Sequence, residues 1–306
     1  MAERRRYVVV GCPQRALVWY AVVRAAFKAL QLQHVVNVAT ADNAEWFAQL
    51  MTRVRRGEVH GVRVCGHHGL DALDQSDQVD ASAQRARVVD TLVADTSGTV
   101  VGYSTDALGL ADLLERKSVS PATVVMFGAG TQAMAAAAAC ETIGAKVIGT
   151  TSRSWKSTEE LHEAPAAERL RSMGLLTMLW PDRNAKPSPS HFSEVMRLQF
   201  GDLASSADLL VQATPAGASI GTDGDRIAEA VPWSKLRPKT LVCDLAYRTG
   251  PTALLKAAQD NNLVTIHGLE ILLEQAARTM EVWTGLRPPL APLQLAAERA
   301  SVELGR

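Results

Sequence analysis

The stretch that decides the fold is Thr123–Arg153, TVVMFGAGTQAMAAAAACETIGAKVIGTTSR. A β-branched run, Thr123–Phe127, meets Gly128-Ala129-Gly130, and Thr131–Ile143 follows as an alanine-rich helix that Gly144 can terminate. The order is strand, tight glycine turn, helix, and Lys146–Thr150 supplies the second strand of a βαβ unit. The glycines let the backbone turn sharply and approach a ligand closely, while the N–H groups and positive dipole end of the helix favour a pyrophosphate. Ala133 takes the third place of a GxGxxG/A pattern, where a small side chain lets helix and strand pack tightly. Alone, that pattern marks a tight βα turn in any α/β protein. Between a strand and a helix it implies a dinucleotide site built from Gly128, Ala129, Gly130, Thr131, Gln132 and Ala133.

The end of the second strand chooses between cofactors. An NAD site usually puts an acid there for the ribose 2′-hydroxyl, whereas this chain continues Ser152-Arg153-Ser154-Trp155-Lys156, with no carboxylate before Glu159. Arg153 and Lys156 offer charge-assisted hydrogen bonds to a 2′-phosphate, with Ser152 and Ser154 as further donors. The expected cofactor is therefore NADP(H).

At 306 residues and 47% hydrophobic content, the chain has room for two globular domains. Lys plus Arg and Asp plus Glu number 32 each, so no net charge favours nucleic acid or an anionic membrane. No apolar run reaches transmembrane length, and MAERRRYVVVG passes from charge into a strand without a signal-peptide core, so a cytoplasmic location is expected. Cys12, Cys65, Cys140 and Cys243 form no CxxC pair or disulfide-like framework, which fits thiols in a reducing compartment.

Outward from the central stretch, Tyr7–Gly11, Val35–Ala39 and Gly61–Cys65 read as strands, with helices over Ala16–Leu30 and Ala44–Arg56. Trp46, Phe47, Leu50, Met51 and Val54 form the apolar face of the second helix. A loop and acid-rich helical turns precede a hairpin-like pair, Val88–Ala94 and Val100–Tyr103, and then a helix over Ala107–Glu115. Beyond Arg153 the spacing predicts a helix over Thr158–Ser172, a strand at Leu175–Leu179 and a polar surface loop, Pro181–Ser190. Ala207–Ala213 and Thr240–Asp244 read as buried parallel strands, followed by helices over Thr252–Asp260, Leu269–Thr284 and Leu290–Leu304.

The order of these signals resembles the shikimate dehydrogenases over most of the chain. The matching stretches are VVDTLV (Val88–Val93), GYSTDALGL (Gly102–Leu110), GAGTQA (Gly128–Ala133), SRSWK (Ser152–Lys156), QATPAG (Gln212–Gly217) and the long run from Val242 to Gly285. The resemblance implies an α/β fold of two domains with a cleft between them. These are an N-terminal α/β substrate domain (1–107 plus 269–306) and a Rossmann-type parallel-sheet NADP-binding domain (108–268). It adds Ala213, Thr214, Pro215 and Gly268 to the cofactor site. It makes Asp106 the aspartate of a Lys–Asp pair that handles the hydroxyl proton, although Asp106 also suits an N-cap for the following helix. Tyr247 and Gln275 match substrate-side residues.

The pattern also breaks in specific places. CGHHG (Cys65–Gly69) replaces the segment that ends in the family's lysine, and Gly69 falls at the lysine position. Ala16, Leu17, Val18 and Trp19 stand where a Ser-x-Ser pair binds the substrate carboxylate, which puts Trp19 at the substrate. A desolvated carboxylate without donors costs several kcal/mol. Asp90, Ser104 and Glu270 replace an asparagine, an asparagine and a glycine. Losing a cation and gaining acids predicts an acidic pocket, with Asp90 and Glu270 facing a small-molecule substrate that is not an anionic carboxylate.

Hydride transfer to a ketone needs a proton donor beside the new alkoxide, and His67 or His68 is the available replacement, with His68 favoured. Adjacent histidines rarely chelate one ion, so no metal is expected. Three functions fit. The first is an NADPH-dependent reductase of a C=N or C=O compound other than shikimate, with Asp106 and Asp90 holding the cation of an iminium. The second is an unusual shikimate- or quinate-type dehydrogenase using His68. The third is a non-catalytic NADP-binding sensor. A homodimer suits an enzyme of this size.

Overall fold

The computed structural model describes residues 4–40, 44–66, 68–181, 200–218, 224–248 and 250–304. His67 and residues 182–190 of the expected polar loop lie outside the described residues. The chain divides into two compact units, Met1–Leu113 with Ile271–Arg306, and Leu114–Glu270.

The first unit is built on β1 (Arg6–Val10), β2 (Val35–Ala39), β3 (Gly61–Val64), β4 (Gln78–Val79), β5 (Thr91–Ala94) and β6 (Val100–Tyr103). They lie in the order β2-β1-β3-β5-β6-β4. β1 pairs in parallel with β2 and β3, while β5 runs antiparallel to both β3 and β6. Arg63 faces Thr91 across the antiparallel pair. The region expected to hold only acid-rich helical turns contains β4, an edge strand paired with β6. The helices here are α1 (Pro13–Ala29), α2 (Ala44–Arg55), α3 (Gly69–Asp74), α4 (Ala81–Ala86) and α5 (Thr105–Arg116). Phe47, Leu50, Met51 and Val54 of α2 pack on Val8, Val10, Val62 and Val64 of the sheet. Each such side chain contributes about 1.5–3 kcal/mol by leaving water.

The second unit contains β7 (Thr123–Phe127), β8 (Val147–Thr151), β9 (Leu176–Met178), β10 (Leu209–Gln212), β11 (Leu241–Asp244) and β12 (Thr265–Ile266). All pairings are parallel, in the order β12-β11-β10-β7-β8-β9. Counted from β7, that is the doubly wound dinucleotide-binding order, whose direction reverses between β7 and β10. Its helices are α6 (Thr131–Thr142), α7 (Thr158–Glu163), α8 (Pro165–Ser172), α9 (Gly224–Ala230) and α10 (Ala253–Asp260). The single helix expected over Thr158–Ser172 is two, because Pro165 forces Ala164 into extended backbone, with φ −71° and ψ 115°. A capping box between Ser157 and Glu160 starts α7.

Two last helices, α11 (Gly268–Thr284) and α12 (Leu290–Leu304), return the chain to the first unit. α12 lies along α1. Trp283 stacks on Tyr7 with ring centroids 4.6 Å apart, and its indole Nε1 donates to the Leu92 carbonyl at 3.2 Å. Among the described residues no helix is long and apolar enough to cross a membrane.

Candidate functional site

In the second unit the glycine turn sits where the strand order reverses. Gly128 has φ +140°, and a Cβ there would meet the Ala213 carbonyl oxygen, at the end of β10, at 2.8 Å. Both the backbone angle and the close approach require glycine. Gly130 caps α6, and a Cβ there would meet nothing within 4 Å. No neighbour among the described residues demands glycine at that position. A bare backbone opening onto space at a helix N-terminus is what an approaching pyrophosphate needs, so the residues fit the expected dinucleotide. Ala133 is fully buried against the sheet, and Thr131 and Gln132 lie in the first turn of α6.

The loop after β10 is knitted by its own side chains. Buried Gln212 donates from Nε2 to the carbonyls of Thr214 at 3.1 Å and Ala216 at 2.8 Å, and its Oε1 accepts from the Thr214 amide. Pro215 lies within that knot. After β8, Trp155 is 1% exposed and anchors a turn in which its amide donates to the Ser152 carbonyl at 2.9 Å. Ser152 and Ser154 bond each other at 3.0 Å, and Arg153 and Lys156 flank the buried indole.

Gly268 opens α11, where a Cβ would strike the Ala246 carbonyl oxygen at 2.5 Å. A cavity of about 280 Å³ there is lined by Ala246, Arg248, His267, Gly268 and Glu270, and Tyr247 is half-buried beside Ala246. The Glu270 carboxylate is committed within its own unit. It pairs with Lys117 at 2.7 Å and accepts from the His267 amide at 3.3 Å. Partial burial opposes its charge, but those partners hold it below the usual range. A larger cavity of about 1000 Å³, lined by residues of α7 and β9 with Asp202 and Leu203, contains none of the expected site residues.

In the first unit the structure brings Trp19, Asp90 and Asp106 together around a residue the sequence reading passed over. Arg63, 2% exposed, forks between two carboxylates, with Nη1 donating to Asp90 Oδ1 and Nη2 to Asp106 Oδ1, each at 2.5 Å. Its guanidinium carbon lies 3.9 Å from the centre of the Trp19 ring, a cation–π contact. Burial works against the guanidinium's charge, yet Asp106 and Asp90 carry its pKa above the ordinary value. The acidic pocket expected from the lost lysine is thus corrected. One cation stands between the two acids, leaving the cluster a single net negative charge when both are ionised.

Asp90 has more donors than a substrate ligand needs. Its Oδ1 also accepts from the Thr91 hydroxyl and from the Thr105 amide and hydroxyl, and its Oδ2 from the Ser104 hydroxyl and the Asp106 amide. The expectation that Asp90 faces a substrate therefore gives way to another role, since both of its oxygens staple the start of α5 to β5. Burial and the neighbouring Asp106 push Asp90 up to about 6. Asp106 stands in the first turn of α5 and is 4% exposed. From α11, the Thr279 hydroxyl reaches Thr105 at 2.9 Å. Gln275, 7% exposed, has its backbone amide nitrogen where a Cβ on Gly109 would come to 2.5 Å.

His68 stacks on Phe47 of the core, and its Nδ1 lies 2.8 Å from Asp71 Oδ2. An ionised carboxylate only accepts, so Nδ1 carries a proton and donates it to Asp71, which fixes the ring's orientation. Burial pushes the Cys65 thiol up to about 12, which makes it a poor nucleophile.

A six-stranded parallel sheet with a glycine turn at its reversal point, joined in one chain to a second α/β unit, is the architecture of a two-domain dinucleotide-binding protein. No family model matches the chain. It is 30% identical over 275 residues, 88% of this chain and 86% of the relative, to shikimate dehydrogenase (NADP(+)) of Desulforamulus reducens. It is 27% identical over 295 residues, 95% and 94%, to that of Dehalococcoides mccartyi. Among solved structures it is similar to shikimate 5-dehydrogenase of Thermus thermophilus in complex with NADP(H) and shikimate, with TM-score 0.74, 25% identity, and coverage of 97% of this chain and 99% of that one. The 5-ketofructose reductase of a Gluconobacter species shares the fold at TM-score 0.77 and 21% identity, covering 98% and 99%. The chain belongs to the shikimate dehydrogenase family of NAD(P)-dependent oxidoreductases.

Proposed function

We propose that this chain is an NADPH-dependent reductase of a small C=O or C=N compound that lacks a carboxylate, and that shikimate is not its substrate. The observation that carries the reading is the surface of α1 at Ala16–Trp19. Ala16, Val18 and Trp19 are buried, and the indole covers Arg63 rather than offering a hydroxyl. Arg63 is poorly placed to serve a substrate carboxylate in their place, because it is 2% exposed, lies under the Trp19 ring and has its charge already shared by two aspartates.

NADPH supplies the hydride, and the 2′-phosphate has Arg153, Lys156, Ser152 and Ser154 to meet it. Asp106 orients the reacting group. A ketone also needs a proton, for which the imidazolium of His68, oriented by Asp71 and giving up its Nε2 proton to become neutral imidazole, is the candidate. An iminium needs none, and the cluster's one net negative charge favours it over an anion.

The same His68–Asp71 pair supports a second reading, a shikimate-type dehydrogenase in which imidazole replaces the lysine as proton carrier. Loss of NADPH absorbance against 3-dehydroshikimate, neutral cyclic ketones and cyclic imines separates the two, with NADH as the cofactor control. Turnover of ketones or imines without 3-dehydroshikimate is the expected result. Efficient reduction of 3-dehydroshikimate hands the site to the second reading. NADPH binding without turnover of any compound leaves the non-catalytic sensor.

A further inference from the structure

We propose that Arg63 is the positioning residue for Asp106, a fixed cation that takes over the charge, but not the proton, of the lysine the family pattern places at Gly69. The inference rests on the reading that Asp106 handles the reacting group. It adds that the two jobs of one lysine are divided here, with the charge on β3 and the proton carried elsewhere.

The geometry points to Arg63 because its guanidinium has no freedom left. Its plane is fixed by the fork onto Asp90 and Asp106, and Nη1 also meets the Thr105 hydroxyl at 2.9 Å. One face is covered by Trp19. Asp106 is gripped twice by the same cluster, through its carboxylate by Arg63 and through its amide by Asp90 Oδ2 at 2.9 Å. These contacts close a ring of three charged residues around the first turn of α5. A lysine, a single point charge on a flexible stem, could not span both acids in one plane.

A further fact limits what this arrangement can do. A guanidinium does not release its proton at any physiological pH. Whatever Arg63 contributes is therefore charge and orientation, never acid catalysis.

The test uses full-length protein carrying Arg63→Lys, Arg63→Met, or Arg63→Met combined with Asp90→Asn. The double variant keeps the cluster's net charge at its original value and removes the attracting and the repelling neighbour of Asp106 together, so it is the control in which the titration should move less than in Arg63→Met. The first readout needs no substrate. The carboxyl carbon of Asp106, labelled with 13C and assigned by its loss in Asp106→Asn, is titrated by NMR. In Arg63→Met, which removes the cation and keeps Asp90, its midpoint is expected to rise by about one to three pH units. The second readout is the pH dependence of kcat on whichever panel compound turns over. Its acid limb should rise with the NMR midpoint, while KM for NADPH stays put. Arg63→Lys should hold the titration near its original position, yet lose up to about a hundredfold in kcat because the orientation is gone.

An Asp106 midpoint unmoved in folded Arg63→Met overturns the proposal, and so does an Arg63→Lys enzyme with unaltered kcat. If Arg63→Met does not fold, Arg63→Lys decides. Reduced kcat with an intact Asp106 titration supports positioning, and full kcat refutes it. If no panel compound turns over, the reductase reading fails, while the titration still decides whether Arg63 governs Asp106.

Discussion

Asp106 is the residue on which the proposed chemistry turns. Its exchange for asparagine keeps the shape, and keeps an oxygen for Arg63 to bind, but removes the charge. We expect Asp106→Asn to lower kcat by about 10²–10⁴-fold, with NADPH affinity unaltered in a fluorescence titration. An enzyme of undiminished kcat would remove Asp106 from every mechanism considered above. Asp106 stands out in GYSTDALGL as a candidate, whereas Arg63 does not stand out at all. GVRVC reads as one short strand, and the partners that make its arginine meaningful lie 27 and 43 residues further on. Long-range pairing of this kind leaves no local period in a sequence. The one clue was a permanent charge in an otherwise apolar run, which can be buried only if something answers it.

At the scale of elements, α5 and α11 approach so closely that one methyl group matters. A Cβ on Gly109 would lie 2.5 Å from the Gln275 amide nitrogen and 2.8 Å from the Glu274 carbonyl carbon. Backbone cannot step aside as a flexible side chain can, so Gly109→Ala should destabilise by about 1–3 kcal/mol, read as a lower urea midpoint. An unchanged midpoint would mean the helices separate freely. The turn after β8 carries a second expectation. Removing a charge-assisted hydrogen bond costs about 1.5–3 kcal/mol. Arg153→Ala should accordingly weaken NADPH binding by about 10–100-fold and leave NADH binding nearly untouched. Equal weakening of both would place Arg153 away from the 2′-phosphate. Element types were readable wherever a period or a glycine marked them, as at Gly128–Gly130. The break at Pro165 and the two-residue β4 were missed, because a helical period continues across the proline and so short an edge strand has no period at all.

For the molecule as a whole, folding is coupled to pH through buried acids. Asp244 ends β11, where its carboxylate accepts from the Ala246 amide at 2.8 Å and the Thr252 hydroxyl at 2.5 Å. Burial nonetheless pushes it up to about 6 from 3.8. A raised acid binds its proton more tightly folded than unfolded. Its contribution is therefore fully present below pH 3.8 and is lost as pH rises through about 6, a change of about 3 kcal/mol. Relative to Asp244→Asn, the unsubstituted protein should gain stability as pH falls from about 7 to about 4, measured by urea unfolding. A difference between the two that stays constant across that range would rule out the coupling. Asp90 shifts in the same direction for a related cause.

The first unit is made of two pieces of chain, Met1–Leu113 and Ile271–Arg306. Tyr7, in β1, has to wait for Trp283 before its ring is covered and its hydroxyl finds the Trp283 carbonyl at 3.2 Å. α1 waits longer still, for α12. The second unit, by contrast, is one uninterrupted run, and its sheet can close while the earlier piece is still incomplete. The second unit therefore closes from a single run, whereas the first closes only when both of its pieces are present. A chain cut after Glu270 would leave Tyr7 and α1 uncovered, the kind of apolar surface on which chaperones act.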